Sequence, residues 1–225
     1  MKKRFKSFVL SHSIVLSCIY YYFMNNKVRG IKGNEFKKQN VFLKRMRLSF
    51  FGEGNKVIIG GEEKPSYFRD MHIEIHGNNH QVIIEHGVSA GALAIYCADN
   101  NCSVHVKEGT SIAGKTELAT MEGTSIIVGR DCLFSANITL RAGDSHSVID
   151  AESGARLNAS KDIHIGNHVW IGNTVILTKG TVIGDNSVVA TGSVVAGKVF
   201  PANSAIGGNP AKVIKEDINW IAQKI

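Results

Sequence analysis

The stretch RAGDSHSVID, residues 141–150, sets Asp144, Ser145 and His146 side by side. An imidazole exchanges its proton near neutral pH, so it can act as a general acid or base, and neutral it can also ligate a metal. Two more histidines follow: His164 lies 18 residues beyond His146, and His168 four beyond that. Three histidines can hold Zn²⁺. The four cysteines, at 18, 97, 102 and 132, form no C-x-x-C pair and no zinc-finger spacing. They read as buried thiols of a reduced, cytoplasmic chain.

What positions these residues is a repeat. From Ile165 an aliphatic recurs every six residues: Ile165, Ile171, Leu177, Ile183, Val189 and Val195. The residue after each is small, and four places after each comes a small or β-branched residue: Val169, Val175, Thr181, Ser187, Ser193 and Val199. A helix of 3.6 residues per turn cannot use that period, and a two-sided strand would alternate by two. A short strand and a corner, repeated, can use it. Stacked coils then pair their backbones in parallel and bury a column of aliphatics. Upstream, GEGNKVII (52–59), GNNHQVII (77–84), DNNCSVHV (99–106) and EGTSIIVG (122–129) repeat a polar turn and a β-branched strand. They read as longer coils whose Asn and Gly corners tolerate positive φ.

Val128, Phe134 and Leu140 keep the spacing of six, and the next place is His146. There the phase is lost, since Ile165 falls one residue off a multiple of six. A loop over about 145–160 must leave the solenoid, a common way to build a site on a rigid scaffold.

The motifs IGNHVWIGNTVILTKGTVIGDNSVVATGSVV and GGNPAKVIK resemble the hexapeptide-repeat acyltransferases. They are most similar to the branch of galactoside and maltose acetyltransferases and capsule O-acetyltransferases, including those for polysialic acid. The resemblance implies an all-β fold, a left-handed parallel β-helix. It also implies a homotrimer, with acetyl-CoA as co-substrate in the cleft between subunits. In these families a histidine on the extruded segment stands 24 residues before the Trp of W-I-G, as His146 does before Trp170. It takes the proton of an attacking sugar hydroxyl, with no acyl-enzyme. The resemblance further implies that Trp170 packs by the thioester and that the backbone N–H of Asn173 meets the thioester oxygen. Thr191 and Gly192 face the pantetheine arm, and Lys212 and Lys215 meet the CoA phosphates. Lys198 is carried over as a further cofactor contact, on a link (AGKVF, between Val195 and Pro201) one residue longer than usual. No metal is implied.

The expected function is O-acetylation of a saccharide, a bacterial cell-surface or capsular polysaccharide. An N-acetyltransferase on an amino sugar is the near alternative; a zinc-dependent β-helix carbonic anhydrase and a non-catalytic scaffold are alternatives of other classes.

Three organisational expectations complete the reading. Residues 1–30 form a separate basic and apolar segment, a helix on the membrane surface or against a neighbouring subunit, with a membrane anchor and a cleaved signal as alternatives. Residues 31–214 form the β-helix. Residues 215–225, with apolar residues at 218, 221 and 225 and Trp220 beside them, form a short terminal helix. The formal charge is +7, but residues 1–50 hold 12 Lys/Arg against one acid, Glu35, so the body is mildly acidic. The basic quarter suits anionic lipid or an anionic polysaccharide, and no aromatic-interleaved motif points to nucleic acid. The expected location is the cytoplasm, with peripheral contact at the inner face of the membrane.

Overall fold

The computed structural model describes residues 24–223 and Ile225. The helix expected in the N-terminal segment falls on residues 1–23, outside the described residues. Among the described residues there is no helix, and so none long and apolar enough to cross a membrane.

The chain winds as a three-sided prism. Its first face stacks Lys27–Arg29, Arg47–Phe51 and His72–His76, then the second halves of Ser89–Cys97 and Ser111–Thr120, then Ile138–Arg141, Ile176–Thr178 and Val194–Val195. The second face is a ladder of eight strands from Glu35–Gln39 to Val199–Phe200. The third runs from Val41–Lys44, through the first halves of the two long strands, to Trp170–Ile171, Val188–Val189 and Ala205–Gly208. All strand pairings of the described prism are parallel except the last, where Ala211–Lys215 folds back antiparallel on Ala205–Gly208.

The period of six is one side of this prism. Val128, Phe134, Leu140, Ile165, Ile171, Leu177, Ile183, Val189 and Val195 are all buried in its axis. Each such side chain contributes about 1.5–3 kcal/mol by leaving water. The coils also change length. Stacked corners lie 25 residues apart at Asn55 and His80, 22 at Asn78 and Asn100, 18 at Asn167 and Asp185, and 17 at Ser187 and Ser204. The step of 37 from Ser125 to Asp162 contains the expected loop.

Three expectations are corrected. The prism begins at Lys27, inside the segment expected to be separate. Val199, the last of the residues placed four after each aliphatic, is 75% exposed where Val169, Val175, Thr181, Ser187 and Ser193 are buried. Its coil is one residue short, so Phe200 takes the inward place and Val199 the outward one beside it. The terminal helix does not form: residues 216–223 are irregular. Ile218 exchanges backbone and side-chain bonds with Asn203, and the Trp220 indole donates to the His168 carbonyl at 2.8 Å. The apolar spacing there reports docking on the prism.

Cys97, Cys102 and Cys132 are buried free thiols. Burial pushes Cys97 up to about 12 and Cys132 up to about 11. His80 is buried too. Its Nε2 donates to the His76 carbonyl at 3.0 Å and its Nδ1 accepts the Cys102 N–H at 3.1 Å, a pattern only the neutral ring satisfies. Burial holds its pKa below the ordinary value. The unfolded chain therefore binds more protons, and the His80 contribution to stability is present above about pH 6.5 and lost as pH falls through the lowered pKa. Melting curves should show a smaller acid-side loss of Tm in His80→Gln than in the wild type. Equal losses would assign the acid sensitivity to other groups.

Candidate active site

Ile171 points into the core, so alternation throws Trp170 outward, 39% exposed on the third face. Its indole N–H reaches the Ser135 hydroxyl at 3.4 Å. Register sets a row across that face: Leu133, Trp170, Val188, Ala205 and, through the antiparallel strand, Lys215. At the strand spacing of about 4.8 Å, Lys215 and Trp170 have backbones roughly 14 Å apart. Lys212 lies opposite Gly207, and both lysines are exposed.

Beyond Ile171 the chain turns the edge toward the first face. The Gly192 N–H donates to the Asn173 carbonyl at 2.8 Å, stacking the Thr191–Gly192 corner on the Asn173–Thr174 corner. The Asn173 side chain accepts the Ala136 N–H at 2.9 Å, and its own N–H finds no acceptor among the described residues. Gly172 lets these corners approach, since a Cβ there would stand 2.7 Å from the Thr191 nitrogen. Trp170, Asn173, Thr191, Gly192, Lys212 and Lys215 therefore share one side of the prism.

His146 lies on another. The chain leaves the prism after Arg141 and re-enters at Ile163, between the first and second faces. The excursion is an antiparallel arm, with Leu157 N–H on the Val148 carbonyl and Asp150 N–H on that of Ala155. Arg156 pairs with Glu122 at 2.7 Å at its base. Asn158 bridges the arm: its oxygen accepts the Val148 N–H at 2.7 Å, and its amide donates to the His146 carbonyl and the Asp144 carboxylate, both at 2.8 Å. The Lys179 ammonium, from the next coil, binds Asp144 and the Asn158 carbonyl. Lys179 first, and Asn158 second, hold the Asp144 carboxyl below the usual carboxylate range. Asp144 thus secures the loop backbone; its partners are Lys179 and Asn158, and the imidazole is exposed beside them. Lys198 follows Gly197 on this same edge, apart from Lys212 and Lys215.

Nothing in the sequence marks Asn158 and Lys179, because their partners lie 10 to 35 residues away along the chain. Asn158→Ala should lower kcat roughly tenfold with KM for the acyl donor unchanged, since it frees the backbone on both sides of His146. Asn158→Asp, which keeps the acceptor for Val148, should recover part of the loss in steady-state kinetics. Equal losses in both would leave only a general folding defect.

The other histidines do not converge on His146. His164 faces outward on the second face. His168 stands in a corner at φ 53°, stacked on Trp220 at 4.3 Å, and Trp220 lies 6.0 Å from Trp170. Trp220 thus extends the aromatic surface beside Trp170. Among the described residues no group of three His, Cys, Asp or Glu side chains is placed to hold a metal ion.

The bacterial transferase hexapeptide family (six repeats) matches residues 162–197, and the class of fold is the left-handed parallel β-helix. The polysialic acid O-acetyltransferase of Neisseria meningitidis is 35% identical over 175 residues, 77% of this chain and 79% of the relative. That of Escherichia coli O1:K1 is 40% identical over 123 residues, 55% of this chain and 39% of the relative. Among solved structures, the polySia-specific acetyltransferase NeuO superposes with a TM-score of 0.78 at 31% identity, covering 88% of each chain. The polysialic acid O-acetyltransferase OatWY superposes with a TM-score of 0.79 at 30% identity, covering 88% of this chain and 92% of that one. The chain belongs to the hexapeptide-repeat acetyltransferases, in the branch of the polysialic acid O-acetyltransferases.

Proposed function

We propose that the protein transfers the acetyl group of acetyl-CoA to a hydroxyl of a sialic-acid-bearing capsular polysaccharide. The observation that carries this reading is the division of the candidate residues between two edges of one prism. His146 and Lys198 stand on one edge, and Trp170, Asn173, Thr191, Gly192, Lys212 and Lys215 on the other side. Such a division gives a complete site only where two copies meet, so the working unit is a closed homotrimer with three shared clefts.

In that cleft the neutral His146 imidazole takes the proton of the acceptor hydroxyl as its oxygen attacks the thioester carbonyl. The oxygen of the tetrahedral intermediate receives the Asn173 N–H. The carbon–sulfur bond then breaks, the CoA sulfur leaves with the proton held by His146, and an ester remains on the sugar. Trp170 packs beside the thioester, the Thr191–Gly192 corner lets the pantetheine arm lie close to backbone, and Lys212, Lys215 and Lys198 meet the phosphates. No residue carries the acetyl group. The reaction belongs in the cytoplasm, and residues 1–23 hold the enzyme at the inner face of the membrane.

Purified protein given acetyl-labelled acetyl-CoA and polysialic acid should yield labelled polymer, with the label released by mild base, as an ester is and an amide is not. Base-stable label on an amino sugar would replace this reading with N-acetylation. Unlabelled polymer would end it.

A further inference from the structure

On the first face of the N-terminal coils, register places Lys27, Arg47 and His72 in one row across three strands, and Arg29, Ser49 and Glu74 in the next. These six residues line a groove of about 370 Å³ together with Phe51 and Leu48. Its charges are unequal. Glu74 is engaged by His76 at 2.6 Å and His72 at 3.6 Å. Lys27, Arg29 and Arg47 have no carboxylate partner among the described residues. Beside the groove, Phe51 stacks on His76 at 4.5 Å and His76 tilts toward Tyr96 at 5.5 Å. Phe51 is 56% exposed and Tyr96 38%. Flat ring faces next to unpaired cations are the surface that a carboxylated sugar fits: the cations take the carboxylate, and the rings take the apolar face of the pyranose.

The groove lies on the same face of the prism as the strand that leads into the His146 loop. The row through Arg29, Ser49 and Glu74 continues through Tyr96 and Ala119 to Arg141. Arg141 reaches the Ser145 hydroxyl, next to His146, at 3.4 Å. Ser49 and Arg141 are four strand steps apart, about 19 Å.

We infer that this groove is a remote subsite for an anionic polysaccharide. It holds acidic sugar units of the acceptor while a more distant part of the same chain lies at His146. The inference rests on the proposed acetyl transfer, and adds that the acceptor is recognised as a polymer, over several units. A membrane surface would also meet these cations, but the recess and the ring faces favour a glycan.

The test is a double variant, Lys27→Gln with Arg47→Gln, in the full chain. KM for long polysialic acid should rise roughly tenfold, the sum of two exposed charge contacts, with kcat unchanged. KM for the shortest acetylated oligomer should stay as in the wild type, so that the advantage of length disappears. Added salt should weaken the polymer affinity of the wild type more than that of the variant. A control variant, Lys64→Gln, away from the groove, should behave as wild type. An unchanged KM at every length in an active double variant would overturn the subsite and leave the proposed function standing. Loss of binding to phosphatidylserine vesicles with polymer KM intact would also overturn it, in favour of lipid. If wild-type protein binds the polymer through these residues and acetylates none of it, the subsite stands and the proposed function fails.

Discussion

With alanine at position 146, kcat for acetyl transfer falls roughly 10²–10⁴-fold, the range a general base supplies, and affinity for acetyl-CoA stays as in the wild type. The loss is chemical because the loop is held through backbone. Asn158 grips the His146 carbonyl and the Val148 N–H, both of which alanine keeps. Trp170→Ala should instead lower kcat and raise KM together, since the proposed function packs its surface on the ligand. His164→Ala and His168→Ala should change kcat little. Were all three histidine variants to lose activity together, and added zinc to alter it, the metal reading would replace the base.

Two nearly inactive variants should rescue each other. His146→Ala removes the base from one edge; Thr191→Trp fills the other edge with a bulky ring at an exposed corner. If each cleft joins the His146 edge of one copy to the Thr191 edge of the next, random trimers made by co-expression contain intact clefts. About a quarter of the clefts then receive both native edges, and activity returns to about that fraction of the wild type. Separately expressed and mixed without exchange, the same variants should stay inactive. Mixed trimers, captured through two different tags, that remained inactive would sink the shared cleft. So would light scattering that found a fully active monomer.

Much of this architecture is written in local chemistry. The aliphatics at every sixth position are legible because one side of the prism is six residues long and its strand turns the same place inward each time. The polar turns of the upstream coils are legible because corner residues such as Asn79, Asn101, Asp131, Asn137 and Asn186 adopt left-handed φ. The loop shows as a loss of phase. What stays hidden is contact between coils. Lys179 looks like any solvated lysine until stacking sets it beside Asp144, 35 residues earlier. The segment around Trp220 carries apolar spacing compatible with a helix, yet those residues answer to His168 and Asn203 on the prism. The edges occupied by His146 and Trp170 could not be told apart from spacing, because the loop moves the histidine off the repeat that fixes the tryptophan.

The antiparallel return of Ala211–Lys215 governs how the solenoid ends. A parallel β-helix is an open template: its last coil offers unpaired N–H and C=O groups on every face, and another molecule could add there and grow a fibre. Here the first and second faces stop in the two-residue strands Val194–Val195 and Val199–Phe200. The third face stops in the reversed strand, whose outer rim carries Lys212 and Lys215, and like charges meeting end to end repel. The same two lysines that the proposed function sets against the nucleotide would thus keep the molecule finite. A chain cut before Asn209 would bare Ala205–Gly208 and should polymerise end to end.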